Sequence, residues 1–448
     1  MQYPVNRLVV VDAYRGIVMA LLLPDLNGGF SVYALSAQLG ATPIGSVLKR
    51  ELAHAPWTGC TLWDLINPSF FFLIGIAMPL SLTARLQRGD SRAQIFVHVL
   101  LRAAILFVLA MMLRIPVRTR FDELAPLALL MAGLPLAASL TRRFGIESPH
   151  THRQVELAWV LSLLSAALVW LYINGDTIGN YNFGQVFSQI ALASVFAFAL
   201  VGRPRTVQVG VALSILAGYW LLFALYPLPA PDFDRTLVGV YPGDEIFGGF
   251  FAHWNKNTNV AQAFDVWFLN LLPRTEAFVF DRHGVQTLNF IPSIVTMICG
   301  VMAGELMRSG KPKLQIRNTL LTAGTITLLA GLLAGITVCP IVKSIWTPSW
   351  TLFSGGICML ILAALYQLCE VREIRSWTAP FVIFGTNAIL LYTLAEYHRW
   401  HLALLPQKLT GVDFFSGAYG PVLQALTVGA LLWLIAFALR RAGIFFKI

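Results

Sequence analysis

The residues best suited to chemistry lie together in His54-Ala-Pro-Trp57-Thr-Gly59-Cys60-Thr61-Leu-Trp-Asp64-Leu-Ile-Asn67-Pro68, which runs directly into the apolar Ser69-Phe-Phe-Phe-Leu-Ile-Gly75. Imidazole is the side chain whose unperturbed pKa lies near neutrality. Just ahead of a helix that enters a membrane, it is suited to general-base or nucleophilic work. Asp64 admits two readings. Thr61-Leu-Trp-Asp64 has capping-box spacing, in which the acidic side chain serves the helix N-terminus. A carboxylate in this position would equally suit fixing an imidazole tautomer.

More polar groups gather at the same level of the spans: Asp25, Asn27, Asn67, Lys343, Glu396, His398 and His401. His398 and His401 flank Trp400, so an interfacial anchor is the simpler account of that segment. A second polar level holds Asp12 with Arg15 and Glu305 with Arg308, both i,i+3 pairs. These read either as structural ion pairs at helix ends or, with Arg102, as the way in for a charged cytosolic ligand such as a coenzyme A phosphate. Trp254-Asn255-Lys256-Asn257-Thr258-Asn259 is rich in amides. It would suit a sugar stacked on the indole, or simply a turn.

The elements that must position these groups are membrane helices. The 448 residues are 57% hydrophobic and 12% charged, with mean hydropathy +0.69. Apolar runs long enough to cross a bilayer recur throughout, so the fold expected is all-α, a polytopic transmembrane helical bundle. Twelve spans are expected, near 8–28, 61–84, 94–114, 122–140, 155–173, 184–201, 206–226, 288–308, 318–338, 349–369, 378–396 and 420–440. Together they form one integral membrane domain over 1–448. The net charge of +10 does not indicate nucleic acid, because the basic residues punctuate the spans and form no continuous face. They concentrate in the loops after even-numbered spans, for example Arg85, Arg88 and Arg92 or Lys311, Lys313 and Arg317, and at both termini. That pattern predicts cytoplasmic termini and places His54 on the outer side. It places the long connection 227–287 outside too. The aromatic content of that segment predicts a folded loop over the outer end of the bundle rather than a disordered one. The five cysteines show neither disulfide nor metal spacing, and no metal is expected.

Several blocks resemble the heparan-α-glucosaminide N-acetyltransferase family of membrane acyltransferases, including its bacterial branch. They are Val11-Asp12-Ala-Tyr-Arg15-Gly16; His54-x-x-Trp57-x-Gly59-x-Thr61-x-x-Asp64-Leu-Ile-x-Pro68; Gly284 to Val295, continuing to Gly300-x-x-Ala303-Gly304; Pro340-Ile-Val-Lys343-x-Ile-Trp346-Thr347-x-Ser349; and Pro380-Phe-x-x-x-Gly385-x-Asn387. The second and fourth are the most specific. The resemblance implies an acetyl-CoA-dependent transferase that moves an acetyl group from cytosolic acyl-CoA to an amine or hydroxyl of a sugar acceptor across the membrane. The family's active-site histidine matches His54 and its upstream asparagine Asn27, with Asp25 as the alternative match. Trp57, Lys343 and Trp346, with Asp25 and the 254–257 segment, are then the expected acceptor-side residues; Asp12, Arg15, Arg102 and Glu305 face the donor. His54 would act as base or as acyl carrier. A bacterial inner-membrane location and a homodimer follow as expectations. The chain departs from the family at Phe121-Asp122-Glu123-Leu, where a Val-Leu-Gln-Arg-like run is usual. A transporter or flippase for a sugar or lipid-linked precursor is the alternative, although no inverted repeat is visible.

Overall fold

The computed structural model describes residues 8–23, 33–40, 42–113, 181–272, 274, 276–411, 413 and 415–444. The spans expected near 122–140 and 155–173, the departure at 121–124, and Asp25 and Asn27 lie outside the described residues. In chain order the helices are α1 (Val9–Leu22), α2 (Ala34–Leu39), α3 (Pro43–Glu51), α4 (Ile66–Gln87), α5 (Arg92–Met112), α6 (Val186–Ala199), α7 (Arg205–Ala224), α8 (Val260–Asn270), α9 (Phe290–Met307), α10 (Lys313–Thr337), α11 (Pro348–Tyr366), α12 (Ala379–Thr386), α13 (Ala388–Thr410) and α14 (Gly420–Arg441). Among the described residues there is no strand, and the architecture is all-helical.

Seven spans among the described residues are long and apolar enough to cross a membrane, or eight if one bent pair counts as a span. They coincide with the expected spans near 61–84, 94–114, 206–226, 288–308, 318–338, 349–369 and 420–440. Two of the twelve expected spans lie outside the described residues, so the count of twelve is matched in seven positions, or eight with the bent pair. The first and sixth expected spans yield α1 and α6, each of 14 residues, short of the roughly 20 a bilayer requires. The span expected at 378–396 is broken: Ser376–Thr386 and Ala388–Glu396 meet at 65°. Asn387 leaves the helical conformation there (φ −128°, ψ 41°), and its side-chain amide donates to the Ile444 carbonyl at 3.2 Å.

The chain forms two compact units. One comprises Met1–Ala53, Ala104–Ile178 and Arg375–Ile448; the other comprises His54–Ala103 and Gly179–Ile374. In the first unit α1 packs on α12, and α13 on α14. A side chain on Gly385 would stand 2.8 Å from the Asp12 carbonyl, so only glycine permits the α1–α12 approach.

In the second unit α4 crosses α9 at the two glycines of Gly300-x-x-x-Gly304. A Cβ on Gly300 would lie 3.0 Å from Gly75 Cα, and one on Gly304 would lie 2.6 Å from the Ile76 carbonyl. Small residues let membrane helices associate through backbone contact where no hydrophobic drive separates them from lipid. The 227–287 segment is folded, with short 3-10 turns at Arg235–Val238 and Gly249–Trp254 followed by α8. Its aromatic residues enclose a core in which Trp254 and Ala261 join Trp57, Tyr219, Phe223, Leu288, Val342 and Ile345. That shared core ties the loop to the segments bearing His54 and Lys343.

Candidate active site

Two distant segments meet to build the site. Thr58 and Val342 form an antiparallel bridge, and the Gly59 N–H donates to the Ile341 carbonyl at 3.0 Å. Gly59 has φ +100°, a conformation that favours glycine. Trp57 is buried, and its indole N–H donates to the Trp254 carbonyl at 3.1 Å. Thr58 donates its hydroxyl to Glu245 at 2.6 Å.

The opposing segment, 338–347, connects α10 to α11 and is fastened from several sides. Trp220 Nε1 donates to the Val338 carbonyl (3.1 Å), Tyr219 Oη to Ile345 (2.9 Å), and Asn289 Nδ2 to Ser344 (2.6 Å). Thr347 donates its hydroxyl to the Pro340 carbonyl (2.8 Å) and accepts from the Val342 N–H (3.1 Å), so the loop is closed on itself before α11 begins. Trp346 takes φ +46°, costly for a bulky residue, and packs on Phe71 with ring centroids 5.0 Å apart. Its indole N–H is buried with no acceptor among the described residues.

Asp64 stands where these segments join, 1% exposed. Its two oxygens divide the work. Oδ2 accepts from the Ala55 N–H (3.1 Å), the Thr61 N–H (3.2 Å) and the Thr61 hydroxyl (3.0 Å). Oδ1 takes His54 Nδ1 at 2.7 Å and Lys343 Nζ at 2.8 Å. Asp64 thus makes the contacts that each of its two readings calls for, one set per oxygen. Lys343 Nζ also lies 2.8 Å from His54 Nδ1. An ionised carboxylate only accepts, so the imidazole proton belongs on Nδ1 when the ring donates to Asp64, leaving Nε2 basic. The His54 side chain is 60% exposed and that of Lys343 16%. Burial pushes the Lys343 pKa below the ordinary lysine value, and the Asp64 charge pulls it partly back.

The other expected site residues fall elsewhere. Trp254 is fully buried and stacks on Phe223, with the ring planes 4° apart. Asn255 exchanges hydrogen bonds with the Phe247 backbone. Asn257 Nδ2 donates to the Val238 and Asp281 carbonyls. Asn259 caps α8, accepting from Ala261 and Gln262. The amides of this run hydrogen-bond to the loop's own backbone, as the turn reading expects. Lys256 is the half-buried exception. In the first unit Asp12 and Arg15 form their ion pair at 3.6 Å. In the second, the expected Glu305–Arg308 pair is not made. Glu305 instead accepts from the Gly202 N–H at 2.7 Å and from Gln208, while Arg308 donates to the Pro79 carbonyl at 2.8 Å and to the Thr83 hydroxyl. Arg102 is half-buried on α5. Among the described residues no group of His, Cys, Asp and Glu is placed to hold a metal. Sequence reasoning missed Tyr219, Asn289 and the Thr58–Val342 bridge; none carries a local signal, because each acts through a partner far along the chain.

Fold and site together define a multi-pass helical membrane protein with a buried carboxylate holding an exposed histidine at the start of a span. The chain is 24% identical to the mouse and 25% identical to the human heparan-alpha-glucosaminide N-acetyltransferase, over 99% of its own length. It is a distant relative of that family. It spans about three-fifths of the length of these curated relatives (61% and 60%). No family model matches the chain.

Proposed function

We propose that this protein is a transmembrane acyltransferase that moves an acetyl group from cytosolic acetyl-CoA to the amine or hydroxyl of a sugar-type acceptor on the opposite side of the membrane. The observation that carries this reading is the 2.7 Å contact of His54 Nδ1 with buried Asp64, on an imidazole that is otherwise exposed. It is the arrangement of an oriented base or nucleophile in acyl transfer, in a relative of proteins named as N-acetyltransferases. His54 Nε2 takes the proton of the attacking amine or hydroxyl, or carries the acyl group itself. Asn27 is the proposed donor to the developing oxyanion. Trp346, with its unspent indole N–H, and Lys256 are the acceptor-side residues. Asp12, Arg15 and Arg102 are the proposed contacts for the donor phosphates. The termini are cytoplasmic in a bacterial inner membrane, and the 227–287 loop lies on the far side with His54.

The test is release of free coenzyme A thiol from acetyl-CoA by the purified protein in liposomes, with glucosamine as acceptor. Wild type should turn over, and His54→Gln should lose about 10²–10⁴-fold. No acetyl-CoA binding up to millimolar, or full turnover by His54→Gln, would sink the assignment. A transporter or flippase is the second reading. The 65° break at Asn387 favours it, since discontinuous helices form transporter binding sites; substrate uptake without acetyl-CoA consumption would select it.

A further inference from the structure

His54 Nδ1, Asp64 Oδ1 and Lys343 Nζ form a nearly equilateral triangle with edges of 2.7, 2.8 and 2.8 Å. In a histidine–carboxylate dyad the carboxylate stabilises the imidazolium. Here the same oxygen is already claimed by an ammonium. Asp64 and Lys343 neutralise each other, so a proton added to His54 creates a cation 2.8 Å from another cation. The ring's outer side is open, at 60% exposed, but the edge that meets Asp64 and Lys343 faces side chains only 1% and 16% exposed, so water screens that contact less than it would at the surface.

The backbone that carries Lys343 is firmly held. Its loop is bridged to Thr58 and fastened by Trp220, Tyr219 and Asn289. The other nearby charges do not replace it. Glu245 is occupied by Thr58. Cys60, beside Lys343, donates to the Thr61 carbonyl at 3.3 Å. The positive N-terminal end of α4, immediately after Asp64, also opposes an imidazolium.

We propose that Lys343 is a positioning residue that acts through Asp64: by sharing Oδ1 with the ring, it orients the carboxylate while cancelling its pull, and so disfavours the imidazolium form of His54. Its catalytic meaning rests on the acyltransferase reading above. In that reaction the acceptor N–H proton passes to Nε2 as the new C–N bond forms. The thioester C–S bond breaks, and the leaving thiolate takes the proton from Nε2 to depart as free thiol. An imidazolium destabilised by Lys343 gives that proton up readily, and the ring returns to its basic form without an external acid or base.

The test needs neither acyl donor nor acceptor. Diethyl pyrocarbonate acylates only neutral imidazole, so its rate at His54, read by mass spectrometry of the His54 peptide across pH 5–8, reports the protonation of that ring. The full-length protein is used in detergent. Lys343→Met and Lys343→Gln should move the labelling midpoint up by about one pH unit or more, because the carboxylate then acts on the ring alone. Lys343→Arg should leave it unchanged. Asp64→Asn, which keeps the cation and removes the anion, should move it down. A lysine that merely packs would leave every midpoint in place, and unchanged midpoints in the neutral variants, or an upward shift in Asp64→Asn, overturn the proposal. The shifts without any acetyl transfer would sink the acyltransferase reading alone. His54-dependent transfer with unmoved midpoints would sink this one alone.

Discussion

At the scale of single residues, Asp64 carries the most consequence, because the five hydrogen bonds its carboxylate accepts from four residues do not make its charge dispensable. Removing the carboxylate leaves Lys343 uncompensated in a mostly buried setting. Breaking a buried pair on one side costs about 3–5 kcal/mol. Asp64→Ala should therefore lower the melting temperature of the detergent-solubilised protein sharply. His54→Ala, at a side chain that is 60% exposed, should leave it near wild type, because Asp64 keeps Lys343. Equal losses in the two variants would contradict this division between a structural carboxylate and a chemical imidazole. The members of this cluster were visible in the sequence as single letters. Thr61-Leu-Trp-Asp64 gave the cap by spacing alone. Lys343 was singled out in the sequence but its contact with Oδ1 was not, because no short-range pattern predicts a contact between residues 279 apart.

At the scale of elements, the 227–287 loop carries its own dependence on acidity. Asp265 on α8 is 1% exposed, and both its oxygens accept from the Thr287 N–H, at 3.2 and 3.0 Å. Burial pushes its pKa up to about 7 from the ordinary 3.8. The folded state thus holds this proton where the unfolded chain has released it. Between about pH 4 and pH 7 stability falls as pH rises, and the loss is complete above about pH 7. Asp265→Asn keeps an acceptor for Thr287 and removes the charge. Its melting temperature at pH 8 should exceed wild type, and its change between pH 5 and pH 8 should be the smaller. A wild-type melting temperature that rises over that interval while the variant's stays flat would contradict the assignment. The loop's foldedness was legible from its aromatic residues, and its amides stayed open between two readings because asparagines that cap and bridge backbone look in sequence like asparagines that face a ligand. The spans were legible wherever hydropathy was uninterrupted; the break at Asn387 was not, because the flanking residues are apolar on both sides.

At the scale of the whole molecule, the proposed topology makes a claim that can be checked from outside. Asp232 in the long loop and Lys311 between α9 and α10 are both exposed. Asp232→Cys and Lys311→Cys should differ in intact cells: a membrane-impermeant maleimide should label the first and reach the second only after lysis. The same labelling for both would remove the premise that the loop lies opposite the termini. The all-helical class followed directly from composition. Of the twelve expected spans, the described residues match seven, or eight with the bent pair; two of the rest form helices of 14 residues, and two lie outside the described residues.

The bridge between Thr58 and Val342 also sets an order in time. His54 and Asp64 leave the ribosome 279 or more residues before Lys343. At about 5–20 residues per second this is a delay of roughly 15–60 s. During that interval α4 exists with its acid uncompensated. Only when α10 is in place and its following loop has closed does the carboxylate acquire its cation. The site is thus among the last parts of the second unit to mature, and a chain that stops short of residue 343 holds a histidine and an aspartate but no finished triangle.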